Sequence, residues 1–177
     1  MKKIIAKVLV VGALMSTTTA LAATDGTVGA TSTGTANITL TIPKLIKLVG
    51  LADFAFGTYT GTGDFNGNEN VVVSTNYGTA ARTYRIRATG SGASSAFTLT
   101  DGSQTIPYAV YWNDATGTSG RVALTTNINL TAQGGASKPL SSSSDNANYS
   151  VEILEANMQS VDAGAFSGTL TLVVTPE

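Results

Sequence analysis

Apolar and polar residues alternate along Thr35–Pro43. Ala36, Ile38, Leu40 and Ile42 fall on one side of an extended chain, and Asn37, Thr39 and Thr41 on the other. A period of two predicts a strand with one dry face and one wet face, and Pro43 cannot donate to a ladder. The same period recurs further on. It predicts strands at Leu45–Val49, Asn70–Ser74, Thr83–Thr89, Phe97–Leu99, Ile106–Trp112, Val122–Leu124, Asn127–Leu130, Tyr149–Leu154 and Phe166–Val174. Tyr84, Ile86 and Ala88 point inward and Arg85 and Arg87 outward. Tyr108, Val110 and Trp112 share one face and Tyr111 takes the other. Asp101-Gly102 reads as a hairpin turn. Past the first residues no helical period is convincing, although Ile153–Met158 is compatible with a short helical turn. Short strands separated by Gly, Asn, Asp and Ser clusters predict an all-β sandwich rather than a parallel α/β sheet.

The N-terminus carries a different signal. Lys2, Lys3 and Lys7 precede or interrupt an apolar run to Met15, and Ala20-Leu21-Ala22 is a small-x-small cleavage site, so residues 1–22 read as a secretory signal peptide. Its apolar run is shorter than the roughly 20 residues that span a bilayer. Residues 23–43 then form an N-terminal extension that begins as a loose run of Thr, Gly, Ser and Ala and ends in the alternating strand. Residues 44–177 form one sandwich domain. The Ser-rich stretch Ser141–Ser144 is a loop inside it.

Charge and composition narrow the chemistry. Beyond the leader remain seven basic and eleven acidic residues, a net charge of −4. No basic patch is available for nucleic acid or anionic lipid. Arg82, Arg85 and Arg87 are the one basic cluster, and Arg85 and Arg87 share the outer face of a strand and read as a solvated face. The chain has no Cys and no His, which removes disulfides, most metal ligands and most nucleophile–base pairs. The eleven acids are scattered, with Glu152 and Glu155 close in sequence, so no catalytic group, metal or cofactor is expected. Asp64–Asn70 places oxygen side chains at alternate positions, as a calcium loop would. However, Gly67 stands fourth, not sixth, and Thr75 stands where a bidentate Glu belongs, so Asn66-Gly67 reads as a tight turn. Tyr108 and Trp112 could stack on a sugar, but an inward Trp is a usual core residue of a sandwich. Three Asn-x-Ser/Thr sequons, at Asn37, Asn129 and Asn148, read as chance in a Thr-rich chain with a bacterial style of leader.

Three pieces together resemble a known family: the strand Ala36–Ile42 with Pro43 and a second apolar strand, then Thr105–Trp112, then the ending Ala163–Thr175. Their order is similar to the pilins of bacterial chaperone–usher fimbriae, above all the cysteine-free colonisation-factor type. Phe54–Tyr59 and Tyr108–Trp112 also resemble spore coat protein U domains. The resemblance implies an immunoglobulin-like sandwich lacking its last strand, completed by the N-terminal extension of the next subunit. Ala36, Ile38, Leu40 and Ile42 would then be the donor knobs, and Phe166, Leu170, Leu172 and Val174 one wall of the acceptor groove. The implied partners are neighbouring copies in a head-to-tail polymer, a periplasmic chaperone, an outer-membrane usher and a host or abiotic surface. The implied location is the periplasm in transit and then a cell-surface fimbrium supporting attachment or biofilm formation. The competing expectation is a free-standing secreted binding module, for carbohydrate or another surface ligand, whose first strand closes its own sheet.

Overall fold

Tyr84–Gly90 shows how the body is built: its residues alternate buried and exposed as far as Ala88, with Tyr84, Ile86 and Ala88 at 0% exposure. In the computed structural model, which describes residues 23–78 and 82–177, ten strands form around such alternation. They are β1 (Ile46–Val49), β2 (Phe65–Thr75), β3 (Tyr84–Gly90), β4 (Thr98–Thr100), β5 (Thr105–Pro107), β6 (Ala109–Asn113), β7 (Val122–Ala123), β8 (Asn129–Gln133), β9 (Ala147–Ile153) and β10 (Leu170–Pro176). One short helix, α1 (Glu155–Met158), follows β9. The signal-peptide reading of residues 1–22 lies outside the described residues.

The ladders are antiparallel. A five-stranded sheet runs β1-β2-β9-β6-β7, a three-stranded sheet runs β10-β3-β8, and β4 and β5 form a hairpin. Val71 and Val73 of β2, Val110 and Trp112 of β6 and Tyr149, Val151 and Ile153 of β9 share one buried cluster with Tyr84, Ile86 and Ala88 of β3. The result is an all-β, immunoglobulin-like sandwich, with two sheets facing across a common apolar core.

Trp112 is fully buried, so it belongs to the core and not to an exposed sugar platform. Its Nε1 donates to the Tyr84 hydroxyl (3.2 Å), which donates to Asp114 Oδ1 (2.6 Å). Asp114 Oδ2 accepts from the backbone N–H groups of Gly134 and Gly135 (2.5 and 2.7 Å). Burial, then the Asp114 contact, pushes the Tyr84 phenol far up, so it stays a neutral donor. Tyr84→Phe keeps the ring but strands the indole N–H and one carboxylate oxygen. A loss of about 1–3 kcal/mol is expected in urea unfolding, with the slope unchanged.

The structure corrects several sequence expectations. Asn66-Gly67 is not a turn: both residues lie inside β2, opposite Glu152 and Val151 of β9. The asparagines there serve the sheet. Asn148 Nδ2 donates to Asn70 Oδ1 (2.9 Å) and Asn68 Oδ1 (3.3 Å), and Asn70 Oδ1 also accepts from Gly117 N (2.8 Å). Asp64, the first oxygen of the calcium-like run, accepts from the backbone N–H of Glu155 (2.7 Å) at the start of α1. Ile106–Trp112 is not one strand but two. Pro107 has no N–H to carry a ladder onward, and Tyr108 N bonds Phe97 O (3.0 Å) where the chain passes from the hairpin to the large sheet. The last strand also divides. Ser167 exchanges two backbone bonds with Thr100 of β4 (2.8 and 3.0 Å), whereas Leu170–Pro176 pairs with β3.

The contacts divide the chain at Ile42/Pro43 into two units. In the first, Thr24 and Thr35 exchange backbone hydrogen bonds (2.9 Å each) and close a loop. Residues 36–42 belong to no ladder, and Ile38, Leu40 and Ile42 are 95%, 83% and 68% exposed.

Candidate functional site: an apolar groove between two unpaired edges

β10 is an edge strand. One side is laddered to β3 and the other is laddered to no strand among the described residues, although β1 comes near it. The facing wall is equally bare. Gly50 turns the chain out of β1 at φ +91°, a backbone region that favours glycine, and residues 51–60 then run on without a ladder. Between these edges lies a groove. Leu51–Phe56 faces Gly168–Leu172 over a floor of Leu99, Tyr108, Tyr149, Val151 and Ile153. Further along, Phe54–Tyr59 faces Val161–Gly168 over Phe65, Ile106 and Met158. Phe54, Phe56, Leu99, Ile153 and Gly168 line both stretches, so the groove is continuous. A wall of nine residues reaches at most about 30 Å, room for an extended segment of seven to nine residues.

The unladdered wall is held by side chains. Phe54 packs against the Tyr149 ring (5.1 Å between centroids) and against Phe56 (6.0 Å), and Phe56 stacks on Phe65 (5.5 Å). β2 has a glycine beneath them. A Cβ on Gly67 would come within 2.8 and 2.9 Å of the Phe54 ring and 3.1 Å of Phe56. Tyr149, projecting from β9, supplies the missing polar anchor: its hydroxyl donates to Ala52 O (2.5 Å) and accepts from Ala52 N (3.1 Å). Burial pushes the Tyr149 and Tyr108 phenols up. For Tyr149 the Ala52 bond partly offsets this, and the Glu69 and Asp53 carboxylates add to it. Both stay neutral, and the floor carries no charge.

Of the expected wall residues, Phe166, Leu170 and Leu172 line the groove. Val174 is half-buried beyond it and packs against the core. Ala36, Ile38, Leu40 and Ile42 lie in the other unit, on the exposed unladdered segment. As residues of the groove, sequence reasoning passed over Gly67, Tyr149 and the wall Leu51–Tyr59, although Phe54–Tyr59 carried a family resemblance and Phe54-Ala55-Phe56 alternates. Among the described residues no group of three or more carboxylates could hold a metal ion.

Neither a protein-family model nor a curated protein matches the sequence. A solved structure is similar in fold: a chain from a study of a chaperone–tip adhesin complex in CFA/I fimbriae biogenesis, with a TM-score of 0.54 and 15% identity. The similarity covers 75% of this chain and 41% of that one, so this chain spans less than half the length of the protein it matches.

Proposed function

We propose that this chain is a structural subunit of an extracellular adhesive fibre of the chaperone–usher kind, with Ala36, Ile38, Leu40 and Ile42 of one copy filling the groove of the next. One observation carries the reading. The free edge of β10 faces an unladdered wall across an apolar groove long enough for the seven residues of Ala36–Ile42. An open edge of this sort recruits a strand, main-chain bonds giving affinity and alternate pockets giving register. Burying Ile38, Leu40 and Ile42 contributes roughly 1.5–3 kcal/mol each before ordering costs. Because each copy both gives and receives, the contact is head-to-tail and propagates. The likeness in fold to a chain from a fimbrial chaperone–adhesin study supports the same role. In it a periplasmic chaperone strand occupies the groove first, the usher exchanges it, and the finished fibre serves attachment or biofilm formation. The role requires no cofactor and no catalysis.

The mature chain in size-exclusion chromatography tests this reading. Ladders that persist in mild denaturant are expected. In a body lacking residues 23–42, the Ala36–Ile42 peptide at a hundredfold its Kd should raise stability by about 2.7 kcal/mol. A single monomer peak and a body indifferent to the peptide would establish the free-standing binding module instead.

A further inference from the structure

Asn76 sits just past β2, and its side chain behaves as one more peptide of that strand. Oδ1 accepts from Leu45 N (2.7 Å) and Nδ2 donates to Pro43 O (2.8 Å). The neighbouring backbone completes the pattern: Asn76 N donates to Leu45 O (3.2 Å), and Thr75 Oγ1 donates to the same carbonyl (2.9 Å). The ladder proper begins at Ile46, opposite Thr75. The Asn76 amide extends its hydrogen bonding back to Pro43. Between them, Lys44 donates from Nζ to Glu177 O (3.2 Å) and lies over the Tyr77 ring, 5.2 Å from its centroid. Pro43 follows Ile42 directly, so no residue of slack separates the last donor position from hydrogen-bonded sheet.

We infer that Asn76 is a positioning residue for the junction between consecutive subunits. It is not needed for a strand to enter a groove. It fixes the backbone at which the donated strand joins its own body, and so sets how far neighbouring subunits swing against each other. The inference rests on the donor-strand reading. A tether of even two or three released residues behaves as a flexible joint, whereas hydrogen-bonded sheet does not.

The experiment compares fibres of the wild-type chain, Asn76→Ala, Asn76→Asp and Tyr84→Phe by electron microscopy and limited trypsin digestion. Asn76→Ala is expected to give fibres of ordinary length whose persistence length falls about twofold or more. Trypsin should cut after Lys44 about fivefold faster, because the Leu45 amide and Pro43 carbonyl are released to water. Asn76→Asp keeps an acceptor for Leu45 N and loses the donor to Pro43 O, so it should fall between. Tyr84→Phe weakens the body through Trp112 and Asp114 and removes none of the hydrogen bonds at Pro43–Leu45 or Asn76, so it should leave stiffness and the Lys44 site unchanged, separating a junction effect from a general loss of stability. Asn76→Ala fibres as stiff and as resistant at Lys44 as the wild type would overturn the inference and leave strand exchange standing. Should Asn76→Ala not fold, Asn76→Asp decides by the same criteria. A wild-type chain that forms no polymer would overturn both.

Discussion

Leu40→Asp is expected to abolish fibre growth while leaving the subunit folded and exported. Leu40 is 83% exposed in the free chain, so the change removes nothing from the core. In the proposed donor role the same position would become central, between Ile38 and Ile42, over a floor without charge. The leucine's burial, about 1.5–3 kcal/mol, is lost, and an unpaired carboxylate in an apolar site adds about 3–5 kcal/mol more. Together these weaken the contact by about a thousandfold or more. The variant would retain its own groove and, on the donor-strand reading, would still receive a wild-type strand. Added in small amounts to wild-type chain it should therefore cap growing fibres, and length distributions should shorten in proportion to the fraction added. Fibres of normal length from Leu40→Asp alone would rule out this donor segment.

Gly67→Val is expected to produce the complementary defect, a subunit that gives but does not receive. A valine there drives its Cβ into Phe54 and crowds Phe56, which sit within 2.8–3.1 Å of that point. The wall they belong to has no ladder to hold it. Packing and the Tyr149–Ala52 contact are its fastening, so it moves before β2 does. Overpacking of this kind costs about 1–3 kcal/mol, and the displaced rings narrow the groove. Binding of the Ala36–Ile42 peptide should weaken about tenfold or more on that scale. Mixed with Leu40→Asp, the Gly67→Val chain should form a heterodimer and stop, because one partner can only donate and the other can only accept. Peptide binding at wild-type strength by Gly67→Val would show that the groove wall does not depend on Phe54.

Part of the sandwich was legible because strands such as β3 have one buried face. Thr83–Thr89 alternates cleanly, Tyr149–Leu154 and Phe166–Val174 keep the same period for most of their length, and β3, β9 and β10 overlap them, with ends shifted by one to four residues, even though β9 is buried on both faces from Ala147 to Val151. The Asp101-Gly102 hairpin was equally plain. Gly102 takes φ +100°, and Asp101 accepts from the backbone N–H groups of Ser103 and Gln104, which hold its carboxyl below the usual carboxylate range. Local rules failed where a residue answers to a distant partner. Asn-Gly ordinarily makes a turn, but Gly67 makes room for Phe54, and the neighbouring asparagines bond to Asn148, far along the chain. The wall at Leu51–Tyr59 shows only the short Phe54-Ala55-Phe56 alternation, because no strand pairs with it and extends the period. Phe166, Leu170 and Leu172 were readable as an inward row, yet nothing in their spacing says what lies opposite. Tyr149 read only as the first residue of an alternating strand, and its hydroxyl's hold on Ala52 depends on contact between segments about a hundred residues apart.

The groove and the segment proposed to fill it share a property that decides how the proposed joint would respond to its surroundings. From Gly26 to Pro43 there is no ionisable side chain, and the groove floor offers only phenols held neutral by burial. Contacts between charged surfaces slacken as ionic strength rises or as acid neutralises carboxylates. The strip offers no charge for such changes to act on, and the two carboxylates that line the groove, Asp53 and Asp162, stand on its walls and would find no charged partner in it. Brine, fresh water and a mildly acidic film would leave it alike, and solutes excluded from protein surfaces would tighten it.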